Sequence, residues 1–411
     1  MRLFLSLIFA SLLSIPVLAA DWPQFRGPTG NGISTEKNLP VEWNESKNIA
    51  WKQEIPGKGW SSPSLFHNRL YLTTAVLADD KLSLRTICLN ANDGKIIWNT
   101  EVFSQDAASA PKIHGKNSHA SPTPLVESGK VYVHFGHQGT ACLDLDGKVI
   151  WKTQELTYPP VHGQGSSPIL VDGLLVFSCD GGKDPFVAAL DAKTGKVRWK
   201  FMRESDYAKR FAFATCEAIT VNGKKQIISP GAGVVNAIDP ENGTEIWRVT
   251  YDGYSVIPRP VFGHGLVFLS TSYDSPSILA IRPDGHGDVT DTHVEWSLKK
   301  GAPHTPSPLL VGDELYLVSD GGIASCVDAK TGEVHWSERI GTKFSASPVF
   351  ADGKIYFQDE EGKGTVLKAG TKFQKLGENG FKEPTLASYC VGDGAIFVRT
   401  EKQLYKVAAE K

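Results

Sequence analysis

Apolar and polar residues alternate along this chain in short runs that come in sets of four. Lys130-Val131-Tyr132-Val133-His134, Leu174-Leu175-Val176-Phe177, Glu314-Leu315-Tyr316-Leu317 and Lys354-Ile355-Tyr356-Phe357 are stretches of strand length set off by Gly and Asp turns. Their apolar and β-branched content is that of buried sheet. Each follows a first strand that usually carries Ser-Pro, as at Ser62-Pro63, Ser121-Pro122, Ser167-Pro168, Ser307-Pro308 and Ser347-Pro348. Looser versions stand at Ala214-Thr215-Cys216, Ile257-Pro258-Arg259-Pro260 and Thr385-Leu386-Ala387-Ser388. A tryptophan closes most sets: Trp51, Trp98, Trp151, Trp199, Trp247, Trp296 and Trp336. A period of about 40–50 residues with four short strands per unit is the mark of a β-propeller blade. The pattern therefore predicts an all-β fold, an eight-bladed β-propeller of four-stranded antiparallel blades.

The two ends of the pattern complete each other. The last unit, from Pro384 to Val407, lacks a fourth strand, and the first tryptophan strand, Asn48 to Lys52, has no strands before it. Pairing the two closes the ring and leaves no sheet edge at the seam. The seventh unit departs from the pattern, with Phe373 where a tryptophan is expected. Turns such as Asp172-Gly173, Asp352-Gly353 and Lys193-Thr194-Gly195 are short and share one face, whereas residues 103–120, 153–165 and 201–212 form long connections on the other. Function on such a scaffold is usually carried by the variable loops.

Composition agrees with one large repeat domain rather than several. Forty glycines and 24 prolines suit many tight turns, and a net charge of −2 offers no footprint for nucleic acid. Residues 1–20 read as a signal peptide, with Arg2, an apolar run from Leu3 to Leu13, and Val17-Leu18-Ala19-Ala20 before Asp21. The division is thus residues 1–20 leader, 21–47 an N-terminal extended segment, and 48–411 propeller. A monomer released to the periplasm or outside the cell is expected, with no lipid anchor and no transmembrane segment. Cys88, Cys142 and Cys326 hold the place of Ala189 and Ala237 in other copies, and no two of the six cysteines have metal or redox spacing.

The copy from Ala189 to Trp199 reads Ala-x-Asp-x-x-Thr-Gly-x-x-x-Trp, and the copy from Ala237 to Trp247 nearly so. This phrase resembles the tryptophan-docking motif of quinoprotein propellers, over roughly residues 48–410. The resemblance implies that Trp98, Trp151, Trp199, Trp247, Trp296 and Trp336 pack as joints between blades. The stretches Asp21 to Pro28 and Asn117 to Pro122 are similar to the pyrroloquinoline-quinone-binding-like repeat proteins exported by planctomycete-type bacteria. A more distant likeness is to the propeller subunit of the outer-membrane β-barrel assembly machinery, a scaffold. A third branch, the quinoprotein alcohol dehydrogenases, implies pyrroloquinoline quinone and calcium, yet no vicinal cysteine pair is present. The expected function is an exported binding or scaffolding module, with no cofactor expected. The alternative is a quinone-dependent dehydrogenase acting on an alcohol or sugar.

First strands of a propeller line its channel, so polar side chains at their starts converge. His119, His162, Arg259 and His304 occupy such starts, beside Ser121, Ser167 and Ser307. Three imidazoles and a guanidinium around one funnel suit an anion, a carbonyl or a metal. They equally suit a channel filled with hydrogen-bonded polar groups. Glu217 falls in a first strand where an unpaired carboxylate is costly, so it is expected to face Arg259. The insertion Asp284 to Asp291 reads as a long turn rather than a calcium loop. His119, Ser121, His162, Ser167, Glu217, Arg259, His304 and Ser307 are the candidate ligand site, for an unknown protein partner or a small polar or anionic ligand. No metal site is assigned. Binding is expected to strengthen near pH 6 if the imidazoles gain protons there.

Overall fold

The computed structural model describes residues 21–409, and the leader expected at residues 1–20 lies outside them. Eight antiparallel sheets follow one another along the chain: blade one spans 64–106, two 125–153, three 169–202, four 217–250, five 261–298, six 309–339 and seven 349–380. Blade eight joins Cys390–Gly392, Ala395–Arg399 and Gln403–Val407 to Ile49–Glu54, which pairs antiparallel with Gln403–Val407. The seam predicted from the two incomplete ends is therefore real. Arg399 locks it by donating to Ser61 O, Ser61 Oγ and Thr73 O of blade one.

The repeat phrase works as a joint. Asp191 accepts hydrogen bonds from the Lys193 and Thr194 N–H groups and the Thr194 hydroxyl, folding the turn between the third and fourth strands. Gly195 then takes φ +73°, with its face against the Trp151 ring of the preceding blade. Six indole N–H groups donate to a carbonyl in the next blade's turn: Trp51 to Ala91, Trp98 to Leu145, Trp151 to Ala192, Trp199 to Pro240, Trp296 to Ala329 and Trp336 to Gly370, at 2.9–3.1 Å, whereas Trp247, also expected to be such a joint, donates to Gln226 Oε1 of its own blade. Cys88, Cys142, Ala189, Ala237, Ala280 and Cys326 stand directly opposite Trp98, Trp151, Trp199, Trp247, Trp296 and Trp336 within their own blades. All six cysteines are buried and free. Gly195→Ala is expected to cost about 1–2 kcal/mol for the left-handed backbone, plus the clash of a Cβ placed 2.5 Å from Trp151. Gly129→Ala, also at positive φ but facing open space, isolates the first cost, and denaturant midpoints of the two variants read the difference.

Three local readings differ from the structure. Gly377, not Phe373, stands at the tryptophan position of blade seven, opposite Val366. The reason is nonlocal: the Val41 carbonyl lies 2.2 Å from where a Gly377 Cβ would be, and Trp43 packs 6.4 Å from Tyr356 and 6.3 Å from Tyr389. The N-terminal segment thus supplies the large ring that this blade lacks, while Phe373 packs on Trp336. Second, Thr123, not Ser121, is the blade-two counterpart of Ser62 and Ser167. Its hydroxyl accepts the Ser62 N–H, and its own N–H donates to Ser167 Oγ. Third, the insertion after Pro283 does not stay within blade five. Gly287–Asp288 pairs parallel with the outer strand of blade four and buries Trp247 completely.

Residues 21–43 run across the short-turn face. Trp22 pairs with Leu65, Pro23 O accepts from Val126, Arg26 donates to Pro308 O, and Ile33–Ser34 pairs parallel with blade seven. The extended segment predicted before the propeller is a stopper across one end of the channel.

Candidate functional site

With one end closed, the channel keeps a blind cavity of about 330 Å³ that opens on the long-loop face. Every blade contributes to it. Ser62, Thr123, Ser167, Thr215, Ile257, Ser307, Ser347 and Ser388 come from blades one to eight in turn, and Phe25 from the stopper joins them. The long connections supply the mouth: His114, Lys116, Asn117, Ser121, His162, Gln164, Phe211 and Tyr254, together with Tyr273 from a turn of blade five.

Five of these mouth residues form an aromatic arc. Ring centroids are 5.3 Å apart from His114 to His162, 5.3 Å from His162 to Phe211, 5.5 Å from Phe211 to Tyr254 and 6.0 Å from Tyr254 to Tyr273. From the same loop as His114, Lys116 reaches Glu360 of blade seven, Nζ to Oε1 2.7 Å. Burial alone would lower this ammonium, but the Glu360 hydrogen bond and charge, with Asp320 and Tyr273 behind, hold it above its ordinary value. Asp320 is itself engaged, accepting the N–H groups of His304 and Thr305 and the Thr305 hydroxyl.

The eight candidate residues separate into three groups. Ser121, His162, Ser167 and Ser307 line the cavity as expected. His119 lines an adjoining pocket with Lys58, Leu77 and Leu82 against the long hairpin of blade one, and His304 packs on Tyr273 at 4.6 Å. Glu217 and Arg259 do meet, Nε to Oε2 2.7 Å, but they are buried and Arg259 also donates to Phe25 O. Arg259 is therefore not a free cation of the funnel. Its place in the channel is backed by Gly30, where a Cβ would fall 2.3 Å from the guanidinium. Burial pushes the Glu217 carboxyl up while Arg259 and Arg26 pull it back. Arg26 is drawn down to about 9 by burial and by Arg259.

Two of the candidate imidazoles, His119 and His162, are also made harder to protonate by their surroundings. Burial lowers His119 and, with His114 adding repulsion, lowers His162. His134 goes furthest, to about 3, through complete burial and the neighbouring His137. For His134 the folded value lies below the unfolded value of about 6.5. The unfolded chain thus takes up a proton that the folded chain refuses, and stability falls as pH drops from there toward 3. Relative to His134→Gln, the wild type is expected to lose about 1 kcal/mol between pH 6.5 and 5.5, because the unfolded imidazole is already half protonated at the upper limit. Urea denaturation of both at the two pH values measures it.

Sequence reasoning missed His114, Lys116, Phe211, Tyr254 and Tyr273. They lie in connections that do not repeat, and the only signal was the length of those loops.

The family model described as outer membrane protein assembly factor BamB matches residues 44–207, 185–316 and 231–372. The chain belongs to this family. Among its relatives, BamB of Yersinia pestis is 24% identical over 218 residues, 47% of this chain and 52% of that protein. The quinohemoprotein alcohol dehydrogenase ADH-IIG of Pseudomonas putida is 27% identical over 242 residues, 52% of this chain and 31% of that enzyme. This BamB-family chain thus spans about half or less of the length of both relatives. The solved structure of BamB from Moraxella catarrhalis shares the fold, with TM-score 0.60, 12% identity, and coverage of 88% of this chain and 97% of that one. The resemblance to quinoprotein-like propellers read from the repeats therefore holds.

Proposed function

We propose that this protein is an exported β-propeller binding or scaffolding module whose ligand or partner docks on the long-loop face, at the mouth of the channel. The observation that carries this reading is the blind cavity: one end is stoppered, and all eight blades wall the other. Relatives named as outer membrane assembly factors support a partner-binding role in the cell envelope. No helix among the described residues is long and apolar enough to cross a membrane.

Relatives named as quinone-dependent dehydrogenases raise the alternative of pyrroloquinoline quinone with calcium. The residues present do not fit that group. A tricarboxylate needs free cations, but Lys116, Arg259 and Arg203 are each held by a carboxylate. Among the described residues no three His, Cys, Asp or Glu side chains stand together as a metal site.

Two measurements test the proposal. A photo-crosslinking residue at Met202 or Lys209, on the long-loop side, is expected to capture a partner or ligand in the producing cells, while one at Lys193 or Lys330, on the short-turn side, is not. Capture from Lys193 or Lys330 alone would sink it. Titration with pyrroloquinoline quinone and calcium is expected to give neither a bound chromophore nor dye reduction with alcohols, and a stoichiometric chromophore would establish the alternative.

A further inference from the structure

One residue of each blade stands at the same level of the channel, and seven of the eight carry a hydroxyl: Ser62, Thr123, Ser167, Thr215, Ser307, Ser347 and Ser388. Arg259 fills the eighth place. The hydroxyls of Thr123, Ser167, Thr215, Ser307, Ser347 and Ser388 each accept the backbone N–H of the preceding blade's residue at 2.9–3.1 Å. Each oxygen has thus spent one lone pair, while its own hydrogen goes to no protein acceptor among the described residues. All six line the cavity. The belt therefore presents six converging O–H donors, each with a second lone pair still able to accept.

Above the belt sits the aromatic arc, and around both the formal charges are spent on one another. Lys116 pairs with Glu360, Arg259 with Glu217, and Lys209, whose ammonium lies 3.9 Å from the Tyr254 ring centroid, with Asp274, while Asp320 accepts three hydrogen bonds from the connection that leads into blade six. Partial desolvation and the neighbouring His114 both lower His162, which favours its neutral form. A cavity with many hydroxyl partners, broad ring faces and no unpaired charge selects a neutral ligand that is both hydroxyl-rich and flat-sided. Aromatic side chains offer large, rigid, amphipathic contact area at small entropic cost, and exposed C–H faces of a pyranose match it. At about 330 Å³ the cavity is at the small end for ligand sites and suits one or two rings.

We propose that the channel mouth is a saccharide-binding site, taking a neutral mono- or disaccharide with its hydroxyls on the Ser/Thr belt and a ring face against Tyr254 and Phe211. This rests on the reading that the long-loop face is the binding face.

The test is calorimetric titration of the full exported chain with glucose, N-acetylglucosamine, maltose, cellobiose and chitobiose, alongside glucuronate and galacturonate. Binding of at least one neutral sugar is expected, unchanged from about 50 to about 500 mM sodium chloride because no charge is involved. Tyr254→Ala and Thr215→Val are each expected to weaken it about tenfold or more. Thermal melting checks that both variants fold, and Tyr254, on the rim, makes no hydrogen bond to the belt among the described residues. Absence of binding across the panel overturns the proposal, as does binding confined to the uronates and lost with salt, which assigns an anion site. Binding indifferent to both substitutions places the sugar elsewhere and also overturns it. Failure here with crosslinks still formed from the long-loop face removes the saccharide and leaves the docking face standing. Crosslinks formed only from Lys193 or Lys330 remove both.

Discussion

Replacing Ile49–Glu54 with an equal length of Gly-Ser is expected to abolish the single cooperative unfolding transition of the ring. This strand pairs along Gln403–Val407, and its Trp51 donates to Ala91 O of blade one, so it is both the edge of blade eight and the joint to the next. Without it the Gln403–Val407 edge lies open, and blade eight loses the ring that packs 6.0 Å from Phe397. The loss is expected to exceed about 5 kcal/mol, comparable with the whole stability of an ordinary domain. Calorimetry of the variant should show a broad, lower transition or none. A sharp transition within a few degrees of wild type would mean that the ring holds without its latch.

Arg203→Met is expected to cost about 3–5 kcal/mol, because it strands a carboxylate in the interior. Arg203 is almost wholly enclosed, grips Asp180 at 2.9 and 3.0 Å, and donates to Ser229 O, Ser229 Oγ and Asn236 Oδ1. Burial already pushes the Asp180 carboxyl up, with Arg203 opposing. Removing the guanidinium raises it further. A carboxyl whose folded value exceeds its unfolded value binds a proton more readily when folded. The variant should therefore regain stability relative to wild type as pH falls through that raised value. The double variant Arg203→Met, Asp180→Leu is expected to recover most of the loss, since neither charge remains buried alone. If the single and double variants are equally unstable, the contribution of Arg203 lies in its packing and its carbonyl contacts instead.

The eight blades, the joints and the seam were legible in sequence because each depends on local repetition: a strand period, an Asp-x-x-Thr-Gly turn, a tryptophan opposite a small residue. Where the structure departs from that reading, a distant segment intervened. Gly377 replaces a tryptophan because Val41 and Trp43 arrive from the other end of the chain. Trp247 is sealed by an insertion that crosses from blade five to blade four. Ser121 and Thr123 both precede proline, and only the hydrogen bonds between blades decide which belongs to the belt. The contact between Glu217 and Arg259 was predictable from the cost of a lone carboxylate in a first strand. That Arg259 is thereby withdrawn from the channel mouth was not, because the stopper that completes its burial carries no repeat signal. The aromatic arc was hidden for a related reason: its members sit in loops of unequal length, and their alignment exists only once the ring is closed.

The stopper and the latch are one continuous stretch, residues 21–54, and this ties the shape of the cavity to the order of assembly. The Arg399 bonds at the seam join residues 338 apart in sequence, so the earliest part of the chain waits for nearly the last before it can seat. Contacts of such separation make folding slow. Until Gln403–Val407 arrives, Ile49–Glu54 has no strand to pair with, although the stopper already has its seats on blades one, two, six and seven. A chain cut before Gln403 accordingly has a cup with its side wall split at blade eight, and the capacity to retain a ligand becomes a report that the ring has closed.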